Sequence, residues 1–462
     1  MDETEFDAVV VGAGPGGEVA AGRLADAGLS VAIVEADKVG GECSYYACMP
    51  SKALLRPGEL LIEARRVPGA AAAVTGPVDV GAVLRRRDEI IGGRGEDGGL
   101  RDDGQLPWLE EHGITLFRGR GRLIGDRRVA VGDTVLRARR AVILAGGTRA
   151  ALPPIDGLAD ARPWTNREAT TAREVPGSLV VIGGGVVGTE MSQAYRSLGA
   201  AVTLVAGNRG LLPREEAFVG EQVGASLVEQ GVDLRTGRRA VSVRREGERV
   251  TVVLDDGAEL HADEVLVAAG RVPQSAGLGL AEVGVETEGF VKVDERMRVP
   301  GLEWLYVIGD LNGRALFTHM AKYQAAVAAS DVLGSDIVVE HLADGPGAPR
   351  VVFTEPQVAS VGHTAASARE AGLRVRVVDV PTDGNAGGAF TGATRGTARF
   401  LVDEDAEVLV GATITGTGVA DMLQAATIAI VGEVPVRRLR HAVPAFPTRS
   451  EVWLHLFDAL GV

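Results

Sequence analysis

Thiols are nearly absent from this chain. Cys43 and Cys48 are its only cysteines in 462 residues. That scarcity excludes a disulfide scaffold. It also speaks against a zinc site, which wants four ligands: no second thiol pair exists and the seven histidines are scattered. Lysine is scarce too. It stands only at Lys38, Lys52, Lys292 and Lys322, and arginine fills every other basic position. With that bias, a run such as Arg85-Arg86-Arg87 reads as a solvated helix face. No stretch approaches the ~18 apolar residues of a membrane span. The acidic start, Met1-Asp2-Glu3-Thr4-Glu5, and the early Gly12 do not read as a signal peptide. A net charge of −14 argues against nucleic acid or an anionic membrane as partner. The expected place is the cytoplasm, where a bridging thiol pair is catalytic rather than structural.

A hydrophobic share of 46% with 24% charged residues describes an ordinary soluble protein. The length is too great for one core and predicts roughly two to four domains. The two cysteines sit inside Gly40-Gly41-Glu42-Cys43-Ser44-Tyr45-Tyr46-Ala47-Cys48-Met49-Pro50-Ser51-Lys52. A disulfide needs alpha carbons ~4.4–6.8 Å apart. The first turn of a helix supplies that distance across this spacing. Lys52 is a rare lysine next to the pair.

Two segments carry the pattern of a dinucleotide-binding turn. The strand Phe6–Val11 runs into Gly12-Ala13-Gly14-Pro15-Gly16-Gly17, then a helix is predicted from near Glu18. A second strand, Ser30–Val34, ends at Glu35. Strand, glycines, helix and trailing acid together make a strong signal. Gly12 allows the tight turn, Gly14 lets backbone approach a pyrophosphate, and Gly17 permits close helix–strand packing. The helix N-terminus then faces the phosphates, and Glu35 accepts from a ribose hydroxyl. The second copy is Leu179–Ile182 followed by Gly183-Gly184-Gly185-Val186-Val187-Gly188, with its second strand at Ala201–Val205. Ala206 stands where the first copy has Glu35. Loss of the acid removes the NAD signature, and Arg209, with Arg214, is placed to meet a 2′-phosphate. The expected reductant is NADPH, with NADH the alternative if Arg209 is merely solvent-exposed. Two dinucleotide sites beside one redox pair point to electrons passing from nicotinamide through FAD to a disulfide.

These residues resemble the pyridine nucleotide–disulfide oxidoreductases, the family of dihydrolipoamide dehydrogenase, glutathione reductase and mercuric reductase. The resemblance covers essentially the whole chain. Ala268-Ala269-Gly270-Arg271-Val272-Pro273 resembles the loop closing the NAD(P) domain. Trp304-Leu305-Tyr306-Val307-Ile308-Gly309-Asp310 resembles the second FAD motif, and Phe353–Gly362 the start of the interface domain. The resemblance implies an α/β fold with two Rossmann-like domains and a C-terminal α+β dimerisation domain. It implies that residues 1–152 and 274–345 bind FAD, residues 153–273 bind NAD(P), and residues 346–462 build a homodimer. Pro-containing connectors at Leu152-Pro153-Pro154 and Gly345-Pro346-Gly347 agree. By the same resemblance Gly41, Lys52, Gly147, Asp310, Met320 and Ala321 join the FAD site, and Gly270 the nicotinamide site. Cys48 would face the flavin and Cys43 the substrate. Lys52 and Glu190 match a lysine–glutamate pair beside the flavin; an ordinary structural salt bridge is the other reading.

The C-terminal segment departs from the family. It reads His441-Ala442-Val443-Pro444-Ala445-Phe446-Pro447-Thr448-Arg449-Ser450-Glu451. Family members carry a histidine directly before Pro-Thr. Without a gap that position is Phe446, while Glu451, which in the family orients the histidine across the dimer interface, remains. The histidine serves as general acid and base and, as imidazolium, lowers the thiol pKa. Phenylalanine does neither. The exchange resembles that of the 2-ketopropyl coenzyme M oxidoreductase/carboxylases, which cleave a thioether reductively, although those also replace the acid retained here. The expectation is an oxidoreductase acting on an atypical thiol, disulfide or thioether. The alternatives are a conventional disulfide reductase using water, Glu451 or His441 as acid, and a non-catalytic flavoprotein. Tyr45 and Tyr46 either shape a substrate pocket or pack the redox segment. The absence of C-terminal cysteines argues against a thiol-tailed reductase.

Overall fold

Runs of small aliphatic residues bounded by glycine build the first sheet. The computed structural model describes residues 2–286, 288–335, 343–345 and 347–462. Of the Gly345-Pro346-Gly347 connector, Pro346 lies outside the described residues. The chain divides into two units. The first comprises Met1–Pro50, Arg87–Ala151 and Arg271–Gly345; the second comprises Ser51–Arg86, Leu152–Gly270 and Pro346–Val462.

In the first unit five parallel strands lie in the order Leu302–Val307, Thr134–Leu144, Asp2–Val11, Val31–Glu35 and Thr115–Arg118. An antiparallel hairpin, Gly121–Gly125 with Arg128–Val131, extends from Thr134–Leu144. Side chains alternate across a strand. Ala8 and Val10 therefore enter one core, with Leu24, Ile33 and Ile143, while Val9 and Val11 enter another with Val34, Leu136 and Leu305. Burial on both faces explains why these strands read as unbroken hydrophobic runs. The helix after the first turn spans Pro15–Asp26, three residues earlier than the sequence predicts. Proline suits the first helical position, where its missing N–H has no partner to lose. This helix packs on Thr318–Val332; a Cβ on Gly16 would stand 3.2 Å from that of Ala321.

In the second unit Asp233–Thr236, Ala201–Ala206, Ser178–Ile182 and Glu264–Val267 form a parallel sheet. Beside it lie an antiparallel sheet of Ala240–Glu246, Arg249–Leu254 and Glu259–Ala262, and the helices Val186–Ser197 and Ala217–Glu229. Residues beyond 347 form a five-stranded antiparallel sheet in the order Arg350–Val352, Gln357–Gly362, Leu409–Gly416, Thr397–Asp403, Val375–Pro381. The helices Leu423–Val431 and Val452–Leu460 bury Ala426, Val452, Leu456 and Phe457 against Phe400 and Ile414 of that sheet. The expected α/β architecture is thus present.

One reading of the arginine-rich composition is corrected. Arg85 and Arg86 are exposed on the helix Val80–Ile90, but Arg87 is fully buried and its Nε donates to Asp88 Oδ1 at 2.8 Å. Among the described residues no helix is long and apolar enough to cross a membrane.

Candidate active site

The cysteines do not share one helical turn. Cys43 lies in a short helix, Gly41–Tyr45, and Cys48 opens the long helix Cys48–Arg66 after a break at Tyr46 and Ala47. Gly40 and Gly41 have positive φ of 106° and 61°, a region that favours glycine. Both cysteines are free thiols, and they are hydrogen-bonded to each other. Cys48 Sγ lies 3.3 Å from the hydroxyl of Thr318, the first residue of the helix Thr318–Val332. The Cys48 hydrogen bond and burial push the Cys43 thiol pKa up; Thr318 and Lys322 oppose that shift. Tyr45 is buried against Ile91 and Leu100, so packing accounts for it, and burial pushes its phenol up to about 12.

The same unit holds the first glycine cradle. Gly12 has φ +108°, and a Cβ there would meet the Ala145 carbonyl oxygen at 2.4 Å. A Cβ on Gly17 would lie 1.9 Å from the Gly12 oxygen. Gly14 is open by contrast: the Gly41 alpha carbon, at 4.0 Å, is the one atom within reach of a Cβ there. Gly41 itself has no such room, since its Cβ would lie 2.7 Å from the Gly14 alpha carbon. Glu35 ends the second strand, and its carboxylate accepts from the N–H groups of Ala13 and Asp37, both at 2.7 Å. Burial raises its pKa all the same. Asp310 is the second acid in this unit's candidate site. The Thr148 hydroxyl donates to it at 2.6 Å, and Arg271 reaches Asp310 at 3.7 Å and Glu42 at 3.5 Å. Burial raises the Asp310 pKa as well. Gly147 has φ +68°; Met320 and Ala321 lie in the first turn of the helix Thr318–Val332, with Met320 buried. A shelf of bare backbone at a helix start, with acids at the strand end and beside it, fits a flavin dinucleotide.

In the second unit Gly183 and Gly188 repeat the cradle. Gly183 has φ +125° with the Ala268 oxygen 2.4 Å from its would-be Cβ, and the Cβ of Gly188 would stand 1.9 Å from the Gly183 oxygen. A Cβ on Gly185, just before the helix Val186–Ser197, would meet nothing within 4 Å, which leaves space for a phosphate. Gly270 has φ +127°. Ala206 is fully buried, and Arg209 is exposed in the loop beyond it, with no ion pair among the described residues. These features fit a nicotinamide dinucleotide with no acid for its ribose. Lys52 and Glu190 meet as expected: Nζ donates to Oε2 at 2.7 Å and stands 4.8 Å from the Phe353 ring centre. The other oxygen of Glu190 accepts from the Phe353 N–H at 2.9 Å.

Phe446 is 77% exposed. Glu451, five residues on, accepts through Oε2 from the Gly387 N–H at 3.0 Å, in the first turn of the helix Ala386–Thr391. Gly387 is required there because a Cβ would sit 2.1 Å from the Thr448 carbonyl carbon. His441 is exposed and His455 half-buried. The sequence did not single out Thr318, Lys322 or Gly387. Scarcity of lysine was the one available hint, at Lys322.

Two dinucleotide cradles and a thiol pair beside the first of them define a nicotinamide- and flavin-linked redox enzyme. Residues 6–330 match the family described as pyridine nucleotide-disulphide oxidoreductase, and residues 348–457 match its dimerisation domain. The chain belongs to that family. A dihydrolipoyl dehydrogenase from Chlamydia muridarum is 30% identical over 97% of this chain and 95% of its own length. A mercuric reductase from Staphylococcus aureus is 29% identical over 97% of this chain and 81% of its own. The crystal structure of LpdA from Mycobacterium tuberculosis aligns with a TM-score of 0.84 at 25% identity, covering 99% of both chains. The HOCl-induced flavoprotein disulfide reductase RclA from Escherichia coli, as its Cu(II) complex, shares the fold. Its TM-score is 0.85 at 24% identity, over 98% of this chain and 99% of RclA. This protein is accordingly an oxidoreductase of the flavoprotein disulfide reductase type, with FAD and a pyridine nucleotide as the family's cofactors.

Proposed function

We propose that the protein is a homodimer that takes electrons from NADPH and delivers them through Cys48 and Cys43 to an atypical disulfide or thioether substrate, without a histidine to move the proton. The observation that carries this reading is Phe446 in register before Pro447-Thr448, with Glu451 engaged by the Gly387 N–H. Residues 1–152 and 274–345 would hold FAD, residues 153–273 NADPH, and residues 346–462 the partner subunit. Exposed Phe390, Val443 and Phe446, each 77% exposed, support a partner, because apolar side chains of that size gain by being covered.

When bound, the flavin accepts a hydride from the nicotinamide and hands the electron pair to sulfur. This chain's residues do the rest. Gly12, Gly14, Gly17, Gly41, Glu35, Gly147, Asp310, Met320 and Ala321 form the shelf for FAD; Gly183, Gly185, Gly188, Arg209 and Gly270 form that for NADPH. Lys52, fixed by Glu190, supplies a cation. Reduction of the Cys43–Cys48 disulfide frees Cys43 as nucleophile. With a disulfide substrate, its thiolate attacks one substrate sulfur, the other leaves as a thiolate, and Cys48 then displaces the second thiol as the Cys43–Cys48 disulfide re-forms. Because burial and the Cys48 hydrogen bond disfavour the Cys43 thiolate, the charge of Lys322 and the start of the helix Thr318–Val332 take over part of what an imidazolium would do.

Anaerobic titration with NADPH tests the redox pair: long-wavelength thiolate–flavin absorbance and uptake of two electron pairs are expected, and uptake of one pair would sink the reading. Phe446→His tests the missing proton relay. It should raise turnover of lipoamide or glutathione disulfide on the order of 100-fold, the usual worth of general acid–base catalysis. Unchanged turnover would show that position 446 does not govern proton transfer.

A further inference from the structure

The chain leaves the first unit after Ala151 and returns to it at Arg271. The two connectors pair as short antiparallel strands, Thr148–Ala150 with Arg271–Pro273. The Arg271 guanidinium is held by Thr148: Nε donates to the hydroxyl at 2.6 Å and Nη2 to the carbonyl oxygen at 2.9 Å. The same hydroxyl donates to Asp310 Oδ2 at 2.6 Å. A guanidinium only donates and a carboxylate only accepts. The hydroxyl of the buried Thr148 is therefore fixed in one orientation between them. Arg271 also forms two longer ion pairs, Nε with Asp310 Oδ2 at 3.7 Å and Nη2 with Glu42 Oε1 at 3.5 Å. The side chains of Arg271, Glu42 and Asp310 are 22%, 22% and 24% exposed, so water screens these charges less than it would on an open surface. Burial raises the Asp310 pKa, Thr148 and Arg271 lower it, and Glu42 adds to the rise, so the two acids feel each other.

Glu42 stands between Gly41 and Cys43, in a segment fastened to the first glycine loop. The Gly40 N–H donates to the Ala13 carbonyl at 2.8 Å, and a Cβ on Gly41 would meet the Gly14 alpha carbon at 2.7 Å. Gly14 is the open position of that loop, where a pyrophosphate comes closest to backbone. A carboxylate one residue from this contact repels a phosphate unless a cation answers it. We propose that Arg271 is the positioning residue of the flavin shelf: one guanidinium holds Glu42 and Asp310 together, and so neutralises Glu42 beside the phosphates of FAD. The inference rests on the reading of Gly12, Gly14, Gly41 and Asp310 as that shelf. Asp310 is the acid the shelf uses, and Glu42 is the acid it tolerates. Without Arg271 the Thr148 hydroxyl loses the donor that orients it toward Asp310, and the charge of Glu42 acts on the dinucleotide.

The test reads flavin release and needs no substrate. The full-length holoprotein is diluted stepwise, and the fluorescence of released FAD gives its Kd. Arg271→Met should raise that Kd about 10- to 100-fold, the worth of a charge-assisted hydrogen bond. Glu42→Gln should leave it within about threefold of the wild type, since a lone carboxylate already answered by a cation contributes little. Arg271→Met with Glu42→Gln should recover most of the loss, because the repelling charge has gone. FAD held by Arg271→Met as tightly as by the wild type overturns the proposal. So does a loss that Glu42→Gln does not relieve, which makes Arg271 a brace between the connector strands and nothing more. If Arg271→Met gives no folded protein, Arg271→Lys takes its place. It keeps a charge and loses the fork, so the Kd should rise less, and Glu42→Gln should again lower it. A Kd that Glu42→Gln does not lower overturns the proposal there too. Asp310→Asn reports on the shelf itself. If that variant holds FAD at wild-type strength, the reading of Asp310 as part of the FAD site falls, and the proposal with it. Weak binding in Asp310→Asn beside wild-type binding in Arg271→Met overturns the proposal alone.

Discussion

Gly17 and Gly188 occupy equivalent places in two separate sheets, and in each a Cβ would stand 1.9 Å from a carbonyl oxygen, that of Gly12 in the first and Gly183 in the second. Gly12 and Gly183 likewise share a positive φ, +108° and +125°, and a carbonyl oxygen 2.4 Å from a would-be Cβ. The backbone is therefore the same device used twice. The side chains around it differ. After the last glycine of the motif comes Glu18 in one unit and Thr189 in the other. Glu18 leaves Oε1 buried without a hydrogen-bond partner, whereas the Thr189 hydroxyl donates to the Gly185 carbonyl at 2.8 Å. The second strand ends in Glu35 in one and in buried Ala206 in the other. Glycine fixes the shelf in both, and the side chains around it differ in charge and in hydrogen bonding.

The strongest way to break this parallel is to fill both shelves. Gly17→Ala and Gly188→Ala each place a methyl against backbone, which no side-chain movement relieves. Each should cost more than ~4 kcal/mol, the range reserved for changes the fold does not absorb. The readouts separate the units. Gly17→Ala should purify without flavin absorbance. Gly188→Ala should keep flavin but lose its reduction by NADPH, followed at the flavin band. If Gly188→Ala is reduced within about tenfold of the wild-type rate, the second cradle is not used as the first is.

Much of this was legible in the chain itself. Both cradles follow from glycines placed between an aliphatic strand and a helix, because only glycine tolerates those contacts. Lys52 and Glu190 were paired through family resemblance, and they meet at 2.7 Å. What was not legible is of two kinds. Local breaks were missed: Pro15 opens its helix early, and Tyr46-Ala47 interrupts the segment between the cysteines, because a helix start weighs position as well as propensity. Long-range contacts were missed as well. Nothing local says that Arg87 is buried while Arg86 is not, or that Glu451 bonds to Gly387, 64 positions away. Such partners are set by how sheets stack, which a linear reading does not contain.

A smaller effect sharpens the contrast between Glu18 and Thr189. Burial raises the Glu18 pKa to about 7 against an ordinary 4.5, with Lys322 opposing the shift. The folded state then holds a proton that the unfolded state gives up between those values. Stability is fully present below about pH 4.5 and is lost as pH rises toward about 7. At ~1.4 kcal/mol per unit the loss is on the order of 3 kcal/mol. Denaturant unfolding from pH 4 to pH 8 should show this slope in the wild-type protein and not in Glu18→Gln. Equal slopes would mean that Glu18 reaches solvent. Thr189→Val serves as the contrast: its effect should be the same at every pH, because a hydroxyl does not titrate in this range.

The smallest expected effect concerns the strand ends, and it bears most directly on the choice of cofactor. Glu35 is held by the Ala13 N–H at 2.7 Å, and the residue equivalent to Ala13 in the second unit is Gly184. A glutamate at Ala206 can use the Gly184 N–H in the same way and offer its remaining oxygen to a ribose hydroxyl. It also sets a negative charge where a 2′-phosphate would lie. Removing Arg209 takes away the cation that answers that phosphate. Ala206→Glu with Arg209→Ala should therefore shift the ratio of kcat/KM for NADPH over NADH toward NADH by about 10- to 100-fold. That corresponds to ~1.5–3 kcal/mol, the worth of a single charge-assisted hydrogen bond. Arg209→Ala alone should weaken NADPH and leave NADH nearly unchanged, and Ala206→Glu alone should weaken NADPH and strengthen NADH. An unchanged ratio in the double variant would place the choice of nucleotide elsewhere than the strand end. The two cradles would then differ at Glu35 and Ala206 for reasons of packing alone.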